Sequence, residues 1–224
     1  YMLAIIPAKK NSSLKNKNIK LLNGKPLIYY TIKAALKCKK ITRLIVSTDS
    51  KKIARLSEKL GAEVPFLRKN ILCKNDTLAT EVYLYILKEL EKKEKIIIPS
   101  VVGLQPTSPL RIKDDIDNCI NLFNNKKADS VISFCETKPI FWNRIIRKNK
   151  TFYTRLKYNI ANRQLYRKSY IFNGAIYVLR RKLLLKKIMY TKNSLAHIMP
   201  IKRSIDIDTQ FDFDIAENLL KKKL

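Results

Sequence analysis

The sequence predicts a three-layer α/β fold built on an open, mostly parallel sheet. Short apolar runs alternate with longer amphipathic segments through the N-terminal half. A chain of 224 residues suits one such domain with an insertion. The unusual polar residues follow directly after the apolar runs, where parallel sheets form their ligand crevice.

The elements follow in order. Leu3-Ala4-Ile5-Ile6 is a continuous apolar run, as expected of a strand buried on both faces. Residues 8–18 form a polar, basic loop. Residues 26–38 carry Leu27, Tyr30, Ile32 and Ala35 at helical spacing, with Pro26 at the helix entry. Leu44-Ile45-Val46-Ser47-Thr48 reads as the second strand and residues 51–60 as its helix, ended by Gly61. Residues 80–93 form a further helix with Val82, Leu84, Tyr85, Leu87 and Leu90 apolar. Val101-Val102-Gly103-Leu104 is a central strand that ends at the Pro106–Pro109 turn. Residues 112–124 are helical, with Thr107 or Ser108 as candidate caps and Asp114 and Asp115 suited to the first turn. Residues 130–135 are strand-like.

Over residues 138–170 the rhythm breaks. This aromatic, basic stretch has no βα unit and reads as an inserted dimerisation lobe within a single domain spanning residues 1–224. The pattern resumes at Ala175-Ile176-Tyr177-Val178, continues through a strand at Ser204-Ile205-Asp206-Ile207-Asp208-Thr209, and closes with a helix over residues 211–221.

Composition narrows the function. The formal net charge is +29, from 47 basic and 18 acidic side chains. Such a charge suits a nucleic-acid binder or a cleft that attracts polyanionic small substrates. The basic residues are spread along the chain, which favours a solvated lysine surface. Cys38, Cys73, Cys119 and Cys135 show no C-x-x-C spacing and are expected to be reduced thiols. His197 is the only histidine, so a multi-histidine metal site within one chain is excluded. With no apolar run of about 18 residues, no membrane span is expected and the protein is read as cytoplasmic.

Two constellations carry chemistry. In a strand, Ile205 and Ile207 would face a core while Asp206 and Asp208 project together on the opposite side. Two close carboxylates need a cation or a proton between them, and a hard divalent cation such as Mg²⁺ suits them. A solvated acidic strand end is the alternative. The loop Lys9-Lys10-Asn11-Ser12-Ser13-Leu14-Lys15-Asn16-Lys17-Asn18 offers the cationic and amide donors that a triphosphate requires. It lacks Walker A glycines, and it also fits a lysine-rich surface loop.

Taken together, Ser12…Lys17-Asn18, Gly24-Lys25-Pro26-Leu27, Val46-Ser47-Thr48-Asp49, Gln105-Pro106-Thr107-Ser108-Pro109-Leu110-Arg111, Arg163-Gln164, Asn173-Gly174-Ala175-Ile176-Tyr177 and Ser204 to Thr209 resemble the acylneuraminate cytidylyltransferases. The resemblance implies a Rossmann-like fold of the nucleotide-diphosphosugar transferase type. It also implies transfer of CMP from CTP to a nonulosonate such as N-acetylneuraminate, with Mg²⁺ on Asp206 and Asp208. Legionaminate is the second expected sugar, an octulosonate enzyme is a rival within the class, and a nucleic-acid-binding protein is the rival from another class. By the same resemblance, Lys17 acts in catalysis beside the two aspartates. Lys9, Ser12, Asn18, Arg68 and Thr80 hold the nucleotide, and Gln105, Arg163, Asn173 and Tyr177 hold the sugar. A homodimer is implied, with no membrane or nucleic-acid partner. Lys9 stands where the family usually has arginine, and Ser13 where a basic residue usually follows Ser12.

Overall fold

A computed structural model of the chain describes residues 2–10, 14–138, 145–146, 152–153 and 168–222. Its central sheet has six strands. In chain order they are β1 (Leu3–Pro7), β4 (Arg43–Ser47), β5 (Ser100–Leu104), β6 (Ser130–Thr137), β9 (Ser169–Arg180) and β10 (Ser194–Ile198). Two short pairs complete the strands: β2 (Leu21–Leu22) with β3 (Lys25–Pro26), and β7 (Ile145–Ile146) with β8 (Phe152–Tyr153). The helices are α1 (Leu27–Lys37), α2 (Lys51–Lys59), α3 (Ala79–Glu94), α4 (Lys113–Asn125), α5 (Arg181–Leu185) and α6 (Gln210–Lys221).

The sheet order is β10-β6-β9-β5-β1-β4, and β9 alone runs antiparallel to its neighbours. The period-2 alternation of the strands sends side chains to two separate cores. On one face Ala4, Ile6, Val102 and Val178 pack against Ile28 and Ile32 of α1, Ile53 of α2 and Phe123 of α4. On the other, Leu3, Ile5, Val101 and Leu179 pack against Tyr83, Ile86 and Leu90 of α3 and Leu183 of α5. The result is the mostly parallel, three-layer α/β fold that the sequence predicts.

A third, smaller cluster sits at the edge: Leu22, Leu27, Ile207, Phe213 and Ala216, with Ile205 partly buried beside them. It anchors the β2–β3 hairpin, whose turn residues Asn23 (φ 46°) and Gly24 (φ 75°) both lie in the left-handed region. That is the geometry an Asn-Gly two-residue turn supplies. The cluster also corrects the expected strand at Ser204–Thr209. Residues 204–208 belong to no ladder. The amide of Ile207 donates instead to the carbonyl of Thr107 at 2.8 Å, in the loop after β5. The edge of the sheet is filled by β10, paired in parallel with β6. The isoleucine alternation reports which side chains are buried, and the chain achieves that burial against a loop and α6.

A second correction concerns α4. Neither Thr107 nor Ser108 caps it; the amide of Ile112 is taken by the Asp115 carboxylate at 3.1 Å. At α6 the cap is complete, with Thr209 and Asp212 bonded reciprocally. The inserted lobe of residues 138–170 lies outside the described residues apart from its ends and the β7–β8 pair.

Gly103 in β5 marks the tightest packing. A Cβ there would stand 2.3 Å from the hydroxyl oxygen of the fully buried Tyr83. Gly103→Ala is therefore expected to destabilise the protein by about 1–3 kcal/mol, the usual cost of overpacking. Urea denaturation measures it, and an unchanged midpoint would contradict this packing.

Candidate active site

The carboxyl ends of β1, β4 and β5 open onto a cleft of about 250 Å³. Lys9, Lys17, Asn18, Arg68, Gln105 and Thr107 line it, together with Asn75 and Thr77. The topology accounts for this convergence: each of those strands ends at the same edge, and β9, running the other way, brings Asn173 and Gly174 to that edge from its own start.

Local chemistry fixes each side chain. The loop after β1 turns into a short 3₁₀ segment, Lys17–Ile19, entered through Asn16 in the left-handed region. That turn buries Lys17 and Asn18, which are 5% and 4% exposed. Asn18 donates to the carbonyl of Lys9 at 2.9 Å, and its own carbonyl oxygen, also buried, has no partner among the described residues. The Lys9 ammonium reaches Asn75 at 2.9 Å. Asp49, after β4, accepts the amide of Lys10 at 2.7 Å and so folds the loop over the strand ends. Arg68 is buried against Ser47, its Nε donating to the Ser47 hydroxyl at 3.0 Å. Burial lowers its pKa from the ordinary arginine value.

The acidic pair meets the buried lysine. Lys17 Nζ donates to the carbonyl of Ile207 at 2.6 Å and to Asp208 Oδ1 at 3.2 Å. Asp208 is exposed, and Asp206 is half-buried with Oδ1 lacking any partner among the described residues. Burial pushes the Asp206 pKa up, with the Asp208 charge adding to it, while Thr107 and Lys17 oppose. Gly174, at φ 71°, makes room here. A Cβ on it would lie 2.9 Å from Asp206 Oδ2 and 3.0 Å from Gln105 Oε1. Only glycine lets the backbone of β9 approach both side chains.

The remaining candidates lie around this centre. Asn173 is 3% exposed, and its amide is taken up by Ser133 at 2.6 Å and Ser204 at 2.9 Å. Tyr177 is buried in the second core, and desolvation pushes its pKa up to about 12. Thr80 is buried in the first turn of α3 with its hydroxyl unpartnered among the described residues. It does not line the cleft, whereas Thr77 and Val82 do. Ser12 and Arg163 lie outside the described residues. Thr107 and Asn75 were not legible as site residues. Thr107 stood in view within a Pro-rich turn, but nothing in the sequence marked its backbone as the dock for Ile207.

The cleft thus gathers buried cations and a rigid turn, with two carboxylates beside Lys17 at its rim, groups of the kind that handle phosphates. A model of the cytidylyltransferase family matches residues 3–223. The chain is 32% identical to a CMP-N,N'-diacetyllegionaminic acid synthase of Legionella pneumophila, over 98% of this chain and 96% of that one. It is 33% identical to an N-acylneuraminate cytidylyltransferase of Escherichia coli over 99% of its own length, which is 52% of that longer protein. A solved CMP:2-keto-3-deoxy-manno-octonic acid synthetase, in complex with CTP, shares the fold at a TM-score of 0.73 and 15% identity, over 100% of this chain and 99% of the other.

The raised pKa of Asp206 has a consequence for stability. A carboxyl that is harder to ionise in the folded state costs no stability where it is protonated in both states. The penalty grows as pH rises from the ordinary value, 3.8, to the folded value, and persists above it. Asp206→Asn should therefore be more thermostable than the parent at pH 7 in chelator, with the difference vanishing at strongly acidic pH. Thermal melts across pH test this, and a less stable variant at neutral pH would contradict it.

Proposed function

The chain belongs to the cytidylyltransferase family, and we propose that it transfers CMP from CTP to the anomeric hydroxyl of a nonulosonate. The anomeric oxygen bonds to the α-phosphorus, the bond from that phosphorus to the β-phosphate oxygen breaks, and pyrophosphate leaves. The observation that carries the reading is the bond of buried Lys17 to Asp208, with Asp206 near enough to feel its charge, at the edge of a cleft lined by further cations.

In this reading Lys9, Lys17, Asn18 and Ser12 hold the triphosphate and Arg68 the cytidine end, while Thr80, buried off the cleft, makes no direct contact. Lys17 is placed to balance the charge that gathers on pyrophosphate as it leaves. Its ammonium is held in place by the Ile207 carbonyl, which needs no proton exchange to release it. Gln105, which lines the cleft, is the sugar contact in this reading; Tyr177 stands in the second core near enough to Asp206 to feel its charge, and Arg163 lies outside the described residues. The amide of Asn173 is occupied by Ser133 and Ser204, so its part is to hold Gly174 and Ser204 in place.

The acidic pair fits a divalent cation. Asp206 Oδ1 is buried without a partner, its charged form is disfavoured, and both donors are hard oxygens. Mg²⁺ commonly takes one or two carboxylates and completes its shell with water and substrate phosphate, so two side chains suffice. Held by Asp206 and Asp208, it would offset phosphate charge and lower the pKa of the attacking hydroxyl.

N-acetylneuraminate is the first reading for the sugar, and a legionaminate is the second. The second is favoured by the match along nearly the whole length of the legionaminate synthase, against about half of the N-acylneuraminate enzyme. The net charge of +29 then raises the local concentration of polyanionic substrates, and binding to nucleic acid is no longer needed to account for it. No helix among the described residues is long and apolar enough to cross a membrane.

Pyrophosphate release with CTP and Mg²⁺, with each sugar supplied separately, tests the proposal. Release with one nonulosonate and none with an octulosonate is expected; release with the octulosonate alone would overturn it. We also propose a homodimer, formed through the exposed Tyr170, Ile171 and Phe172 of β9 and the adjoining insertion. Light scattering at micromolar concentration should return twice the 26.1 kDa chain mass, and a monomer would refute it.

A further inference from the structure

Arg111 stands out because the reaction does not use it. It follows the Pro-rich turn, is 2% exposed, and has no carboxylate within ion-pair distance among the described residues. Asp115, which acts on it electrostatically, is already held by the fork of Arg203 at 2.8 and 3.0 Å. Burial lowers the Arg111 pKa to about 10, and its Nε and Nη2 have no hydrogen-bond partner among the described residues. A cation buried so poorly is costly, and its position must therefore matter.

The position lies at the end of a ladder. β5 and β9 are antiparallel, with Ser100 opposite Arg180 and Leu104 opposite Ile176. The next pair in that register would be Gln105 with Ala175, where the ladder stops. Arg111 Nη1 donates to both of those carbonyls, at 3.3 Å to Gln105 and 2.6 Å to Ala175. One nitrogen thus bridges the first unpaired position of the two strands. The side chain of Gln105 lines the cleft, and Gly174, next to Ala175, packs against Gln105 Oε1 and Asp206 Oδ2.

We propose that Arg111 is a positioning residue, a clamp that holds Gln105 and the Gly174–Ala175 backbone at fixed separation and so sets the fit of the sugar. The proposal rests on the reading of Gln105 as a sugar contact. A lysine at this place keeps the charge, but its side chain is shorter than arginine's, so its ammonium falls short of the place Nη1 takes between the two carbonyls.

Three variants test it: Arg111→Lys, Gln105→Ala and the double variant. Arg111→Lys should raise the KM for the sugar about tenfold, leave the KM for CTP within twofold, and lower kcat less than the sugar KM rises. In the double variant the two effects should fall well short of adding, because one residue acts through the other. Amide exchange at residues 174–176 should quicken in Arg111→Lys while the melting temperature stays close to that of the parent. Equal rises in both KM values, full additivity, or unchanged exchange at 174–176 would overturn the clamp. If Gln105→Ala leaves the sugar KM untouched, the sugar-contact reading fails by itself, and the exchange measurement still decides whether Arg111 clamps the strands.

Discussion

The docking of an acidic segment onto the loop after β5 brings Asp208 to Lys17 and Asp206 to Gly174 at the sheet edge. Its essential contact is small: the amide of Ile207 on the carbonyl of Thr107, backed by Lys17 on the carbonyl of Ile207. Ile205 and Ile207 then press into the cluster with Leu22, Leu27 and Phe213, which leaves Asp208 exposed beside Lys17 and Asp206 against Gly174. A ladder would have fixed this segment in the plane of the sheet. A single backbone bond with apolar packing leaves it outside that plane, where one carboxylate meets Lys17 and the other meets Gly174.

The arrangement concentrates electrostatic cost where ligands are handled. Asp206 is desolvated, Arg68 and Arg111 are buried with lowered pKa values, and Asn18 keeps an unpartnered carbonyl oxygen. Outside the cleft the unpartnered buried atoms among the described residues include the neutral hydroxyls of Thr80, Tyr83 and Ser108. Such a pattern is expected of a site preorganised for a charged substrate, since groups already turned toward the place where charge develops need little rearrangement during reaction. The two cores pay no part of this, being apolar on both faces of the sheet.

Much of this was legible in the sequence. Each apolar run of the N-terminal half became a strand, and the basic loop, the Pro-rich turn and the acidic pair all reached one edge. The Ser204–Thr209 segment was misread because alternation reports which faces are buried and is silent on whether a neighbouring strand exists to pair with. β10 was missed for the opposite reason: as an edge strand carrying His197 it has little apolar periodicity. The β2–β3 hairpin did carry its signal, Asn23-Gly24, within a stretch read only as a motif. Arg111 was visible as a residue on a rigid turn, but its burial and its two carbonyl partners depend on the register of β5 with β9, which no local pattern encodes.

The proposal to test first is that a cation supplied with the nucleotide binds at Asp206, whose buried Oδ1 has no partner among the described residues. Calorimetric titration of CTP with Mg²⁺ at mildly acidic pH, in two buffers of different ionisation enthalpy, tests it directly. CTP itself exchanges protons in this range, so the comparison is between the two proteins: more protons should be released per bound nucleotide by the parent than by Asp206→Asn. Equal proton release by the two proteins would contradict the account.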